Sequence, residues 1–247
     1  MADQVDYEIY GDDLQFVEII LDPGEAAIAE AGSMMYMDDG IQMSTSLSDG
    51  SEKNSGILGA MIGLGKRALT GESLFVTFFT NKGKKKARVA FSSPFPGKII
   101  PIELPKIGGT LMCQKGAFLA AAKGVAINVG LTKKIGSGLF GGEGFILQKL
   151  EGKGNAFIHA GGTIVEQNLP AGQTIYVDTG SLVAFQPSVD FDIQMVKGVQ
   201  SIFFGGEGFF LSKLTGPGKI WIQSMPFTRL MSTINSNIEE KQEKNKK

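Results

Sequence analysis

The chain has 247 residues, a formal net charge of −1, 43% hydrophobic residues and 20% charged residues. That is a globular composition with ample core material and no global field for nucleic acid or an anionic membrane. A single cysteine, Cys113, rules out an intramolecular disulfide, and a single histidine, His159, rules out the usual N/S zinc set and His pairs for iron or copper.

The N-terminus, Met1 to Asp6, is acidic and polar and lacks the basic and apolar regions of a signal peptide. No apolar stretch reaches the ~20 residues of a membrane span. One unpaired cysteine suits a reducing compartment. The expectation is a soluble cytoplasmic protein.

Three stretches of about 15–94, 97–162 and 163–227 then read alike, as one domain of three β-rich repeats over 1–227. In the first, Glu25 to Ala31 and Met34 to Met37 flank Gly32-Ser33, and Leu74 to Thr80 and Ala87 to Phe91 flank a lysine-rich turn. In the second, Phe118 to Ala122 and Val125 to Val129 are expected to pair around Lys123-Gly124. Phe145 to Leu150 and Ala156 to Ala160 are expected to pair around Gly152-Lys153-Gly154. In the third, Val189, Phe191, Ile193 and Met195 alternate with Asp190, Asp192 and Gln194, the period of a half-buried strand. There Phe209 to Leu214 and Lys219 to Gln223 are expected to form a hairpin around Gly216-Pro217-Gly218. After Phe227 the β pattern stops. Thr228 to Ile238 reads as a short helix, and Glu239 to Lys247, with no apolar residue, as a solvated tail.

Two spacings hold in all three stretches. Glu72, Glu143 and Glu207 each precede a turn glycine, Gly83, Gly154 and Gly218, by eleven residues. Gly24/Gly32, Gly108/Gly116 and Gly172/Gly180 are each eight apart. Glycine is roughly twice as frequent as usual, which fits many tight turns. The chain therefore reads as a triplication.

The first copy alone carries an insertion. Gly32 to Glu72 is 40 residues, against 27 for Gly116 to Glu143 and for Gly180 to Glu207. The extra length falls in the polar run 44–55 and the glycine-rich apolar run 56–65, read as a loop plus a helical piece that covers a sheet edge. It is too short to span a bilayer. With Lys66 and Arg67 at its end, it offers a candidate interaction surface of Gly56, Ile57, Leu58, Met61, Ile62, Leu64, Lys66 and Arg67. That surface would meet a membrane or a neighbouring subunit.

Catalytic patterns are missing. His159 sits in a strand-like run whose counterparts, Arg88-Val89-Ala90 and Ile220-Trp221-Ile222, share no ionisable group with it. There is no Gly-x-Ser-x-Gly elbow. Gly63-Leu64-Gly65-Lys66-Arg67 has Arg where a phosphate loop needs Ser or Thr. Glu72, Glu143 and Glu207 read as structural acceptors at bends, the alternative being three equivalent ligand or metal sites. Lys82, Lys84, Lys85, Lys86 and Arg88 make a basic hairpin tip without the interleaved aromatics of a single-strand binder, which argues against nucleic acid.

The apolar run, the stretch 66–75, and Gly-Gly-Glu-Gly-Phe at 141–145 and 205–209 resemble a family of uncharacterised prokaryotic proteins. These are related to the mitochondrial biogenesis protein called altered inheritance of mitochondria. The resemblance covers about residues 5–227. It implies an all-β fold of three repeats with pseudo-threefold symmetry, each like a subunit of the trp RNA-binding attenuation protein, and assembly into trimers, a ring of nine similar units. It implies no enzyme activity, no cofactor and no catalytic residues to carry over. The reading that follows is a non-enzymatic oligomeric β-scaffold or binding protein whose partner is a further copy of itself. The alternatives are an organiser of membrane surfaces or complexes acting through 56–67, and RNA binding through a ring of lysine-rich tips.

Overall fold

The computed structural model describes residues 4–30, 32–46, 76–133, 145–196 and 209–244. The described chain is mostly β, in several sheets, with one C-terminal helix. It divides into two compact units. The first comprises residues 1–132 and 146–159, the second residues 133–145 and 160–247.

The first unit holds β1 (Asp6–Tyr10), β2 (Phe16–Leu21), β3 (Ala26–Glu30), β4 (Met34–Met37), β5 (Ile41–Ser46), β6 (Val76–Asn81) and β7 (Ala87–Ser92). It continues through β8 (Lys98–Glu103), β9 (Thr110–Gln114), β10 (Phe118–Ala122), β11 (Ala126–Lys133), β12 (Phe145–Glu151) and β13 (Asn155–Ala160). One sheet has the order β1-β2-β7-β4, and a second β5-β6-β3-β10-β13-β8. Strands β11, β12 and β9 are hydrogen-bonded in that order. The second unit holds β14 (Ile164–Leu169), β15 (Thr174–Asp178), β16 (Leu182–Phe185), β17 (Asp190–Val196), β18 (Phe209–Thr215), β19 (Gly218–Gln223) and helix α1 (Phe227–Lys244). Its strands run β14-β19-β16 and β15-β18-β17.

Alternation explains the outer strands. In β1, Asp6, Glu8 and Tyr10 face out while Tyr7 and Ile9 face in. Mid-sheet β10, Phe-Leu-Ala-Ala-Ala, has no wet face and is buried throughout between β3 and β13. The main core of the first unit gathers Val17, Ile19 and Leu21 of β2, Phe79 of β6, Val89 and Phe91 of β7, and Phe157 of β13. Phe79 and Phe91 meet edge-on with centroids 5.0 Å apart, and Tyr7 and Phe157 do so at 4.9 Å. Burying each such side chain is worth about 1.5–3 kcal/mol.

The expected hairpins are not hairpins. Strands β6 and β7, β12 and β13, and β18 and β19 are consecutive, yet each pair is split between two sheets. The same holds for β10 and β11, expected to pair around Lys123-Gly124. The short glycine turns carry the chain from one sheet to another, so the two strands flanking such a turn are not each other's partners. This lets Phe79 and Phe91 face each other across a core instead of lying side by side.

One connectivity recurs. The orders β2-β7-β4, β8-β13-β10 and β14-β19-β16 place corresponding strands in corresponding positions, as do β5-β6-β3, β11-β12-β9 and β17-β18-β15. A register break recurs with it. Between β4 and β7, Met34 faces Phe91, but Tyr36 faces Ala90. Phe118 and Ala120 repeat this against Ile158 and Phe157, and Leu182 and Ala184 against Ile222 and Trp221. Each case has one extra residue on the same strand, a β-bulge at the same point.

Helix α1 is longer than the sequence reading. It runs from Phe227 through Lys244 and so takes in most of the charged tail. The run Glu-Glu-Lys-Gln-Glu-Lys consists of good helix formers, which explains its continuation beyond the last apolar residue.

Candidate functional site

A polar cluster lies on the sheet β1-β2-β7-β4. Glu18 of β2 and Tyr36 of β4 both stand opposite Ala90 of the strand between them. The small Ala90 leaves room for the Tyr36 hydroxyl to reach over it and donate to Glu18. Arg88, two residues along β7, donates through Nε and Nη2 to Asp38 at 2.9 and 3.1 Å, and the Arg88 amide donates to the same carboxylate at 2.9 Å. Its third nitrogen lies 3.7 Å from buried Glu18. The hydrogen bond to Glu18, helped by desolvation, raises the Tyr36 pKa, and the hydrogen bonds from Arg88 lower that of Asp38. Both shifts move these groups away from titration near neutrality. Each carboxylate of the cluster is thus committed to a donor, Glu18 to Tyr36 and Asp38 to Arg88.

Beside it an open pocket of about 330 Å³ is lined by Leu14, Gln15, Phe16, Met35 and residues 92–96. Gln15 is engaged at both ends of its amide: its Nε2 donates to the Gly11 carbonyl at 3.1 Å, and its Oε1 accepts from the Ile99 amide at 2.8 Å. Ser93 Oγ accepts from the Phe95 amide. The chemistry left at the pocket is mainly apolar, suited to an aliphatic or aromatic side chain and offering no nucleophile–base pair.

His159 lies on β13, 3% exposed. Its ring meets that of Phe95 edge-on. Neither ring nitrogen has a hydrogen-bond partner among the described residues. Burial pushes its pKa down to about 4, so it is neutral at pH 7. Cys113 on β9 is fully buried, and burial, with a smaller effect of the Glu30 charge, pushes its thiol up to about 12. Both are core residues. Among the described residues no three His, Cys, Asp or Glu side chains cluster as a metal site would require.

The repeat glycines fall where the chain turns, though not identically. Gly32 and Gly116 have φ of +87°, and Gly24, Gly108 and Gly172 lie between +79° and +90°. At all five a Cβ would meet nothing within 4 Å, so conformation and not space calls for glycine. Gly180 differs. It lies in a 3-10 turn, Thr179–Ser181, capped by Asp178, and its φ is not positive. Gly83 lies inside the five-residue loop between β6 and β7 and donates its amide to Asn81 Oδ1 at 2.9 Å. Gly154 directly precedes β13, and its carbonyl accepts from Leu104. Gly218 opens β19 at φ +146°, where a Cβ would lie 2.6 Å from Ser188 Oγ. Equal spacing from the glutamates thus leads to three different turns. Glu72, Glu143 and Glu207 lie outside the described residues, as does the candidate surface 56–67.

The basic loop between β6 and β7 is partly neutralised. Lys86 pairs with Asp6 at 3.0 Å and Asp22 at 3.6 Å, and Arg88 is held by Asp38. Sequence reading did not point to Glu18, Tyr36 or Asn81, since nothing local marks residues that meet through strand pairing. No described helix is long and apolar enough to cross a membrane.

Paired sheets joined by crossing turns define a multi-sheet β protein. The chain belongs to the family described as mitochondrial biogenesis AIM24, whose family model matches residues 7–225. It is 32% identical over 220 residues to an uncharacterised protein of Streptococcus pyogenes serotype M6, covering 88% of this chain and 84% of that protein. The crystal structure of protein SPYM3_0169 from Streptococcus pyogenes is similar in fold, with a TM-score of 0.72 at 24% identity over 95% of this chain and 100% of that one.

Proposed function

We propose that the chain is a non-enzymatic, oligomeric β-scaffold or binding protein built from three homologous modules about a pseudo-threefold axis. The observation that carries this is the bulge repeated at β4/β7, β10/β13 and β16/β19. A register break shared by three segments is a designed feature of a module and not an accident of packing. Repeated modules build extended symmetric surfaces. The locked cluster of Glu18, Tyr36, Arg88 and Asp38 and the buried His159 and Cys113 favour structural roles over catalysis. Neutralisation of Lys86 and Arg88 weighs against nucleic acid as a partner.

In this reading the partner is further copies of the chain, three in number, and the single buried thiol fits a reducing cytoplasm. The test is solution mass by multi-angle light scattering. Three times the chain mass is expected, and a monomer at micromolar concentration overturns the assembly.

A further inference from the structure

We propose that the outer face of the sheet β1-β2-β7-β4 is a two-point seat for an extended peptide of a partner protein. A bulky apolar side chain would enter the pocket at Phe16. Two residues along, a lysine or arginine would lie against the rings of Tyr10, Phe16 and Tyr36 beside Glu8. The seat does not depend on how many copies of the chain associate.

Strand pairing arranges this face in rows. Tyr10 of β1, Phe16 of β2 and Ser92 of β7 stand opposite one another. Two residues along, Glu8, Glu18, Ala90 and Tyr36 form the next row. The alternate side chains of β2, Val17, Ile19 and Leu21, belong to the core, so both rows lie on the face turned away from it. Phe16 serves both halves of the seat. It lines the apolar pocket with Leu14, 71% exposed, and Met35, 54% exposed. It also stacks on Tyr10 at 5.0 Å and meets Tyr36 edge-on at 6.4 Å. A cation within about 6 Å of such a ring is drawn to its face.

The charges call for a cation at the same place. Glu8 stands directly opposite Glu18 across β1 and β2, and like charges so placed weaken a strand pair. Each accepts from a tyrosine hydroxyl, Glu8 from Tyr10 and Glu18 from Tyr36, but a hydroxyl brings no charge. Arg88 reaches only to 3.7 Å from Glu18, because its other donors are spent on Asp38. Among the described residues no cationic group pairs with Glu8. The stretch 6–21 carries Asp6, Glu8, Asp12, Asp13 and Glu18 and no lysine or arginine. Lys86 and Lys98 answer Asp6 and Asp13, which leaves Glu8 and Asp12 to draw a cationic peptide and repel an acidic one.

Spacing selects a peptide as the occupant. The pocket row and the carboxylate row are two strand residues apart, about 6.6 Å. An extended peptide presents side chains i and i+2 on one side at that same spacing.

The experiment labels the methionine methyl groups of the full-length protein with carbon-13 and assigns Met35 by comparison with Met35→Leu. The probe is the end-blocked peptide Gly-Leu-Ser-Arg-Gly. The Met35 methyl signal should shift saturably as the peptide is added. Gly-Leu-Ser-Glu-Gly should bind about tenfold more weakly, as should the arginine peptide to Glu8→Gln, and Glu8→Lys should abolish binding. Glu8 is exposed on β1, so these variants should keep the other methionine signals in place. Tyr10→Leu keeps the bulk but removes a ring, and should weaken the arginine peptide as well. Equal shifts from the two peptides, or binding that survives Glu8→Lys, would overturn the cationic half of the seat. Argininamide binding as tightly as the peptide would overturn the apolar half. No Met35 shift at millimolar peptide would remove the site altogether.

Discussion

The imidazole of His159 and the ring of Phe95 meet edge-on, with centroids 4.6 Å apart at 78° between planes. The histidine is buried, its nitrogens have no partner among the described residues, and its pKa lies near 4. An unfolded histidine titrates near ~6.5. Between these values the unfolded chain binds a proton that the folded chain refuses. This group therefore makes stability fall as pH drops from about 6.5 to about 4, by about 1.4 kcal/mol per unit. At pH 4.5 the wild type should have lost about 2.5 kcal/mol more than His159→Phe relative to pH 7. Urea midpoints of both proteins at the two pH values check this. Equal losses would show that His159 charges as readily when folded as when unfolded.

The turn glycines separate conformation from space. At Gly116, φ is +87° and the Cβ position is open, so Gly116→Ala should cost about 1–2 kcal/mol, and Gly116→Asn less, since Asn enters this region more readily. Gly180 holds the corresponding place without positive φ, so Gly180→Ala should cost less than Gly116→Ala. Its Cβ would stand 3.2 Å from the flexible Asp178 carboxylate. Gly216 is the opposite case: a Cβ there would lie 2.3 Å from the Pro170 carbonyl oxygen and 2.5 Å from that of Leu169. Gly216→Ala should be the most damaging of the three. Thermal denaturation gives the order, and Gly180→Ala matching Gly216→Ala would refute the distinction.

That contrast also marks what the sequence could convey. Strand positions were legible because apolar alternation and glycine punctuation are local. β10 lies at the expected residues, and β17 has the expected alternation except at Met195, which is exposed. Strand partners were not legible. A tight turn such as Gly216-Pro217 reverses the chain whether the next strand joins the same sheet or another, and only long-range pairing decides. The Glu18–Tyr36–Arg88–Asp38 cluster was hidden for the same reason. Asp38-Asp39-Gly40 reads as a turn, and Gly40 does turn at φ +94°, but the grip of Asp38 on Arg88 depends on β4 lying beside β7.

Asn81 fixes the lysine-rich loop from beneath. Fully buried, it donates from Nδ2 to the Leu21 and Lys85 carbonyls, both at 2.8 Å, and accepts from the Gly83 amide at 2.9 Å. Asn81→Ala would leave three backbone groups without these partners and should cost about 2–4 kcal/mol. Asn81→Asp keeps the acceptor but loses both donors, so it should not restore stability at neutral pH. Amide exchange at Gly83 should quicken in the alanine variant and not in Asn81→Asp. Unchanged denaturation of both variants would show that the loop is held by other means.

Cys113 tests the depth of the core in the first unit. It stands opposite Gln148 on β12, with no accessible surface and a thiol pushed up to about 12. A thiol reacts as the thiolate, so the folded protein should resist a disulfide reagent at pH 8, and one equivalent should react once the chain is unfolded in urea. Its role is to fill space. Cys113→Ala should then cost about 1 kcal/mol for a small void, and Cys113→Ser more, because the hydroxyl would be cut off from water. Rapid labelling of the folded protein, or a serine variant as stable as the wild type, would show that β9 is more open to water than this packing allows.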